Sequence, residues 1–156
     1  MAKKDLRYFM RQRQEEIVTI PGVDSFRDEE GKVIDFEVRI LSSKEIMHIN
    51  EMYRERSVAI GKKSQPYIAN GEVVFKTKRD NERATRHILV EALAYPDLKN
   101  KELMEFHHCV DITEMPLLVF YRMDEYTQVL QSVLQVLGII DESDEDEDGD
   151  ITAAKN

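Results

Sequence analysis

The chain has 156 residues, enough for one domain with a substantial core and short for two. Its 42% hydrophobic and 34% charged residues are typical of a soluble globular protein, and no apolar run approaches the roughly 20 residues that span a bilayer. A single cysteine excludes an internal disulfide framework. Because the N-terminus also lacks the apolar region of a secretory signal, we expect a cytoplasmic protein.

The formal net charge of −9 belongs to the C-terminal end. Residues 141–150 hold eight of the 31 acids and no base, whereas the preceding 140 residues hold 23 acids and 21 bases. A body so close to neutral argues against a dedicated nucleic-acid-binding protein, which normally has a basic face. We predict a basic arm over residues 1–14, a single domain over 15–140 and a disordered acidic tail over 141–156.

The basic arm surrounds Tyr8, Phe9 and Met10 with lysines and arginines. Two interpretations are open: a solvated arm or short helix, or a docking segment whose aromatic residues anchor on a partner. The β-prone residues 16–20 follow and stop at Pro21. We expect them to pair with the next strand, since two strands alone are marginal in water.

Residues 25–41 give the clearest local signal in the chain. Ile34, Phe36, Val38 and Ile40 alternate with polar residues, which predicts a strand with one buried face. The acidic turn that ends in Gly31 precedes this strand. Together they predict a β-hairpin near the N-terminus.

Ser42 and Glu45 form a capping-box pattern that opens a helix, and we expect Gly61 to end it. The pair Asn70-Gly71 predicts a tight hairpin between two short strands. Together with the N-terminal hairpin, these elements predict an α+β fold: a small antiparallel sheet packed on a mainly helical bundle.

Asp80 is placed to cap a helix over residues 81–94, which Pro96 should stop. Further helices are predicted over residues 101–108, from residue 113 onward, and over residues 123–137. The predicted buried face of the last helix comprises Tyr126, Leu130, Val133, Leu134 and Leu137.

No residue pattern in the chain predicts catalysis, a cofactor or a metal site. His107, His108 and Cys109 are adjacent, so on a helix they point about 100° apart and cannot all face one ion. The acidic tail partly matches a calcium loop, but Lys155 occupies the position that requires a bidentate glutamate. Nucleotide-binding and hydrolase motifs are also missing. We therefore predict a protein that is not an enzyme.

Residues 117–121 are five apolar residues in a row. They form either a buried core helix or a surface left for a partner or a second copy of the chain. The candidate partner-binding residues are Tyr8, Phe9, Met10, Leu117, Leu118, Phe120 and Tyr121.

Three blocks, in this order, resemble the XkdN-like tail assembly chaperones of phages and phage-derived contractile tail particles. The blocks are SFRDEEGKVIDFEVRIL, LVEALAYPDLKNKELM and DEYTQVLQSVLQVLG, which together span residues 25–138. The basic arm and the acidic tail lie outside them.

This resemblance implies a non-catalytic protein of the host bacterial cytoplasm. Such chaperones bind the tape measure protein, keep it soluble, help recruit tail tube subunits, and are absent from the mature particle. Neither nucleic acid nor a membrane is expected as a partner. The first alternative is a structural tail completion or connector protein that is retained in the particle. The second is a nucleic-acid regulator that uses the basic and aromatic residues Lys62, Lys63, Tyr67, Phe75, Lys76, Lys78 and Arg79.

Overall fold

The computed structural model describes residues 4–58 and 65–140. The strands are β1 (Ile17–Ile20), β2 (Phe36–Arg39), β3 (Arg54–Val58), β4 (Ile68–Ala69), β5 (Glu72–Val73), β6 (Phe75–Arg79) and β7 (Leu93–Tyr95). The α-helices are α1 (Ser43–Met52), α2 (Asn81–Ala92), α3 (Lys101–Phe106), α4 (Met115–Val119) and α5 (Met123–Val136). Short 3₁₀ turns cover Leu6–Phe9 and Ile112–Glu114. The predicted α+β class is confirmed.

The main sheet has three antiparallel strands in the order β1-β2-β7. Ile20 pairs with Phe36 at one end of β1, and Val38 pairs with Leu93 of β7. Phe36 and Val38 are buried while Glu37 is exposed, so the predicted alternation is confirmed in β2. The predicted pairing of residues 16–20 with this strand is confirmed as well.

Local capping signals are satisfied as the sequence predicts. The Ser42 hydroxyl accepts a hydrogen bond from the Glu45 amide at 3.1 Å, and Asp80 accepts one from the Arg83 amide at 3.2 Å. Gly138 ends α5 at φ +77°. These side chains satisfy amide groups that have no partner within the helix, and a glycine costs little in the left-handed region.

The predicted ends of two helices are wrong, because each helix stops earlier and the chain continues as a paired strand. Helix α1 ends at Met52, well before Gly61, since the chain continues as β3 and pairs with β6. Gly61 itself lies outside the described residues. Helix α2 ends at Ala92, because the next residues form β7, so Pro96 follows a strand.

The core lies between the main sheet and the helices. An aromatic cluster of Phe26, Phe36 and Phe120 has ring centroids 5.9–6.4 Å apart. The buried aliphatic residues of α2 and α5 pack in the same core; they are Ile88, Leu89, Val90, Val129 and Val133. These contacts join the loop after β1, strand β2 and the end of α4 to the helices.

The predicted buried face of α5 is confirmed in part. Val133 is buried, and Tyr126, Leu130, Leu134 and Leu137 are half-buried and pack against the core. Glu125 and Val129, which were not predicted, are also buried. The Glu125 carboxylate accepts hydrogen bonds from the Ser25 amide, at 3.0 Å, and from the Ser25 hydroxyl. This buried polar contact fixes one side of α5 against the loop after β1, and the Tyr126 stripe lies at the edge of the core.

Candidate partner-binding surface

A groove of about 530 Å³ opens between the first half of α2 and the segment formed by α4 and α5. We call it the apolar groove. Its apolar wall consists of Leu117, Met123, Tyr126 and Leu130, and its polar wall of Asn81, Glu82, Thr85 and Arg86. The groove is therefore amphipathic across its width.

At the end of α4, one aromatic residue is buried and the next is exposed to solvent. The Phe120 amide donates to the Pro116 carbonyl at 3.0 Å, and there the backbone leaves the helix. Phe120 is 2% exposed and belongs to the aromatic cluster, whereas Tyr121 is 90% exposed. Leu117 and Leu118 are 38% and 40% exposed. The apolar run of residues 117–121 is thus divided between core and surface.

Helix α5 supplies the other half of the apolar wall. Tyr126 and Leu130 are one helical turn apart and share a face, and Met123 lies a turn earlier with 71% of its surface exposed. Burial raises the pKa of the Tyr126 phenol above its ordinary value, so this side chain is uncharged at neutral pH. The wall therefore presents no formal charge.

Polar contacts of Arg83 and Arg86 with Asp111 and Thr113, which we call the polar latch, join α2 to the 3₁₀ turn that precedes α4. Arg86 Nε donates to the backbone carbonyl of Thr113 at 2.8 Å, and Arg83 Nη2 lies 2.9 Å from Asp111 Oδ2. Asp111 also accepts from the amide and hydroxyl of Thr113 at 2.9 and 2.8 Å. These Thr113 hydrogen bonds, aided by the Arg83 guanidinium, hold the pKa of Asp111 below its ordinary value.

Some of the predicted partner-binding residues lie at or near the apolar groove, and others lie elsewhere. Leu117 lines the apolar groove, and Leu118 and Tyr121 are exposed close by in the chain. Phe120 lies in the core, so we remove it from the proposed surface. Met123 was not predicted, and Tyr126 and Leu130 line the groove as well as packing against the core. The signal was present, because α5 carries a second apolar stripe beside Val129 and Val133.

The arm residues Tyr8, Phe9 and Met10 are exposed and do not line the apolar groove. A 3₁₀ turn holds Tyr8 and Phe9, capped by Asp5, whose carboxylate accepts from the Arg7 amide at 2.9 Å. They form a second, separate candidate surface.

His107 and Cys109 have structural neighbours. His107 packs edge-on against Phe106 with 5.0 Å between ring centroids. Cys109 packs against the core, and its Sγ donates to the Asp111 carbonyl at 3.1 Å. Residues 4–58 and 65–140 contain no group of three or more histidine, cysteine or acidic residues placed to hold a metal ion. The partial calcium-loop match lies outside the described residues.

Comparison with known protein families gives a match over most of the chain. Residues 6–151 match the family of phage XkdN-like tail assembly chaperone proteins. The chain belongs to this family. The match is longer than the three sequence blocks, since it includes most of the basic arm and much of the acidic tail. Membership of a chaperone family implies a non-enzymatic role.

Two proteins of Bacillus subtilis strain 168 are similar to this family member over most of their length. The protein XkdN of the phage-like element PBSX is 24% identical over 140 residues, covering 88% of this chain and 87% of XkdN. The uncharacterized protein YqbN is 27% identical over 154 residues, covering 97% and 93%.

The fold also occurs in a crystal structure of YqbN. That structure superposes with a TM-score of 0.65 and covers 88% of this chain and 98% of its own. Within the described residues, no helix of this chaperone-family protein has the length and hydrophobicity to cross a membrane.

Proposed function

We propose that this chain binds the tape measure protein during tail assembly, keeps it soluble, and helps recruit tail tube subunits. It would act in the host bacterial cytoplasm and leave before the particle is complete. The observation that carries the proposal is the apolar groove, which has one apolar wall and one polar wall. Family membership supports the setting of tail assembly.

An amphipathic helix fits a groove of this kind. Its apolar face would contact Leu117, Tyr126 and Leu130, and its polar flank would lie along Glu82 and Arg86 on α2. A tape measure protein presents such helices until the tail tube encloses it. The polar latch supports the proposal, since a groove with fixed walls loses little conformational freedom when a helix binds.

The exposed area suits a complex that must come apart. Complete burial of a leucine, methionine or similar side chain contributes about 1.5–3 kcal/mol, and the groove residues are already partly covered. The cost of association, about 4 kcal/mol or more, offsets part of the gain from a few such contacts. We therefore expect an affinity low enough for tail tube subunits to displace the chaperone.

Co-expression with the tape measure protein tests the proposal. The tape measure protein should be recovered as a soluble complex with the unmodified chain. The double variant Leu117→Asp/Met123→Asp should lose the complex, because two carboxylates would be desolvated against an apolar helix. The matched control is Met47→Asp, which alters an exposed methionine on α1 outside the groove and should leave the complex intact.

Equal insolubility of the tape measure protein with and without this chain would contradict the proposal. A complex that survives the groove variant but is lost when Tyr8, Phe9 and Met10 are changed to serine would move the contact to the basic arm. Mass spectrometry of purified particles decides the alternative, because a retained completion or connector protein would be present in them.

A further inference from the structure

Strands β3 and β6 form a two-stranded antiparallel ribbon between α1 and α2, which we call the basic ribbon. Every residue of β6 is exposed. The bases of the ribbon are Arg54, Arg56, Lys76, Lys78 and Arg79, and its acid is Glu55. This excess of positive charge contrasts with the near-neutral composition of residues 1–140.

Most of this charge has no counterion within the described residues. Neither Lys76 nor Lys78 forms an ion pair there, although Glu55 is the register partner of Lys78. Arg54 lies directly opposite Arg79, and like charges opposite each other destabilise a strand pair. Arg54 contacts Glu51 at 3.1 Å, at the foot of the ribbon. The ribbon therefore has the charge to attract an anionic partner.

The foot of the ribbon is also concave. Arg54, Thr77, Arg79 and Asn81 line an open groove of about 510 Å³. Guanidinium, hydroxyl and amide groups are donors suited to carboxylates. A carboxylate bound here would relieve the repulsion between the two arginines.

We propose that the acidic residues 141–150 of the same chain dock on the basic ribbon. This segment carries eight acids and no base, which is the most concentrated negative charge in the sequence. Because the segment is covalently attached, its effective concentration near the ribbon is on the order of millimolar, which favours it over a separate acidic peptide.

The acidic residues can reach the ribbon. Asn81 lines both the open groove at the foot of the ribbon and the apolar groove, and Tyr126 also lines the apolar groove. From Tyr126 to the end of α5 at Val136, the helical rise of 1.5 Å per residue gives about 15 Å, and four more described residues follow. Ten extended residues span about 33 Å, so the last acids of residues 141–150 can return to the foot of the ribbon.

Docking would cover the ribbon against other polyanions, nucleic acid in particular. The ribbon would then bind DNA and RNA less tightly than its own charge allows. This role does not depend on the tape measure protein, so either proposal can fail alone.

Zero-length carbodiimide cross-linking tests the contact directly. In the full chain, amide bonds should form between Lys76 or Lys78 and the acids of residues 141–150. In a mixture of ¹⁵N-labelled and unlabelled protein, peptides linked within one chain should dominate, and they should decrease at high salt. Links mainly between chains, or none to these lysines, would overturn the proposal.

Binding to a duplex DNA of arbitrary sequence tests the shielding. A full-length variant with every acid of residues 141–150 changed to Asn or Gln should bind the duplex about tenfold more tightly at low salt. Adding Lys76→Ala and Lys78→Ala to that variant should remove the gain. The proposal is wrong if the unmodified chain and the neutralised variant bind the duplex with the same affinity, whether both bind tightly or neither binds. In that case the acidic residues do not cover the ribbon.

Discussion

Gly22 occupies a position where no other residue fits. A Cβ built there would lie 1.8 Å from the carbonyl oxygen of Ile34 and 3.3 Å from Phe36 Cε1. The Ile34 carbonyl oxygen is a backbone atom, so it cannot move aside unless the chain that leads into β2 moves with it. The sequence pattern around Pro21 predicts the end of a strand and does not reveal this contact.

We expect Gly22→Ala to lower the free energy of unfolding by about 2 kcal/mol or more, because the new methyl group overlaps the backbone of the neighbouring segment. Urea denaturation followed by circular dichroism measures the change. The control is Gly31→Ala, where φ is +84° but nothing lies within 4 Å, so that only left-handed backbone strain of about 1 kcal/mol applies. A larger loss at Gly31 would contradict this explanation.

Asp111 begins the short turn that carries α4 and connects it to α2. It accepts from the Thr113 amide and hydroxyl and pairs with Arg83. Because these contacts are made to the ionised carboxylate, the pKa of Asp111 is lowered in the folded protein. Its contribution to stability is therefore present above the ordinary value of 3.8 and lost as the pH falls through the lower folded value.

We predict that Asp111→Asn costs about 1 kcal/mol of stability at pH 7, the usual effect of a lost cap with an exposed ion pair. The difference from the unmodified protein should shrink below about pH 4, where the carboxyl group of the unfolded chain becomes protonated, and disappear below the lowered folded pKa. Urea midpoints at pH 7 and pH 3 measure it. Asp35→Asn at an exposed position should change stability by less than about 0.5 kcal/mol at pH 7. A difference that is constant with pH would show that the charge is irrelevant.

The aromatic cluster joins distant parts of the chain into one cooperative unit. Phe26 follows β1, Phe36 lies in the central strand, and Phe120 ends α4. The basic ribbon lies outside this cluster. The molecule thus separates the residues that hold the fold from those that remain exposed.

Adjacent substitutions at Phe120 and Tyr121 test this separation. Phe120→Ala should lower the free energy of unfolding by about 3–5 kcal/mol, because it leaves a cavity among the other two rings. Tyr121→Ala should change it by less than about 0.5 kcal/mol, since the side chain is 90% exposed. Chemical denaturation of both variants provides the comparison. Similar losses would mean that Tyr121 also contributes to the core.

Part of the candidate surface could be predicted from the sequence. The apolar run marked Leu117, Leu118 and Tyr121, but it included Phe120 because hydrophobicity alone does not reveal which way a side chain points. Tyr126 and Leu130 pack against the core and also line the groove, and hydrophobicity alone does not reveal such a double role. The burial of Glu125 decides the rotation of α5, and its partner Ser25 is 100 residues away.

The sequence by itself determined the α+β class, the helix caps at Ser42 and Asp80, and the alternation in β2. These features depend on groups within a few residues of one another, so a local pattern specifies them. Only the tertiary structure decided where α1 and α2 end, which face of α5 is buried and that an apolar groove opens beside it. Strand pairing and packing join segments far apart in the chain, and their combined free energy exceeds the local preference for continuing a helix.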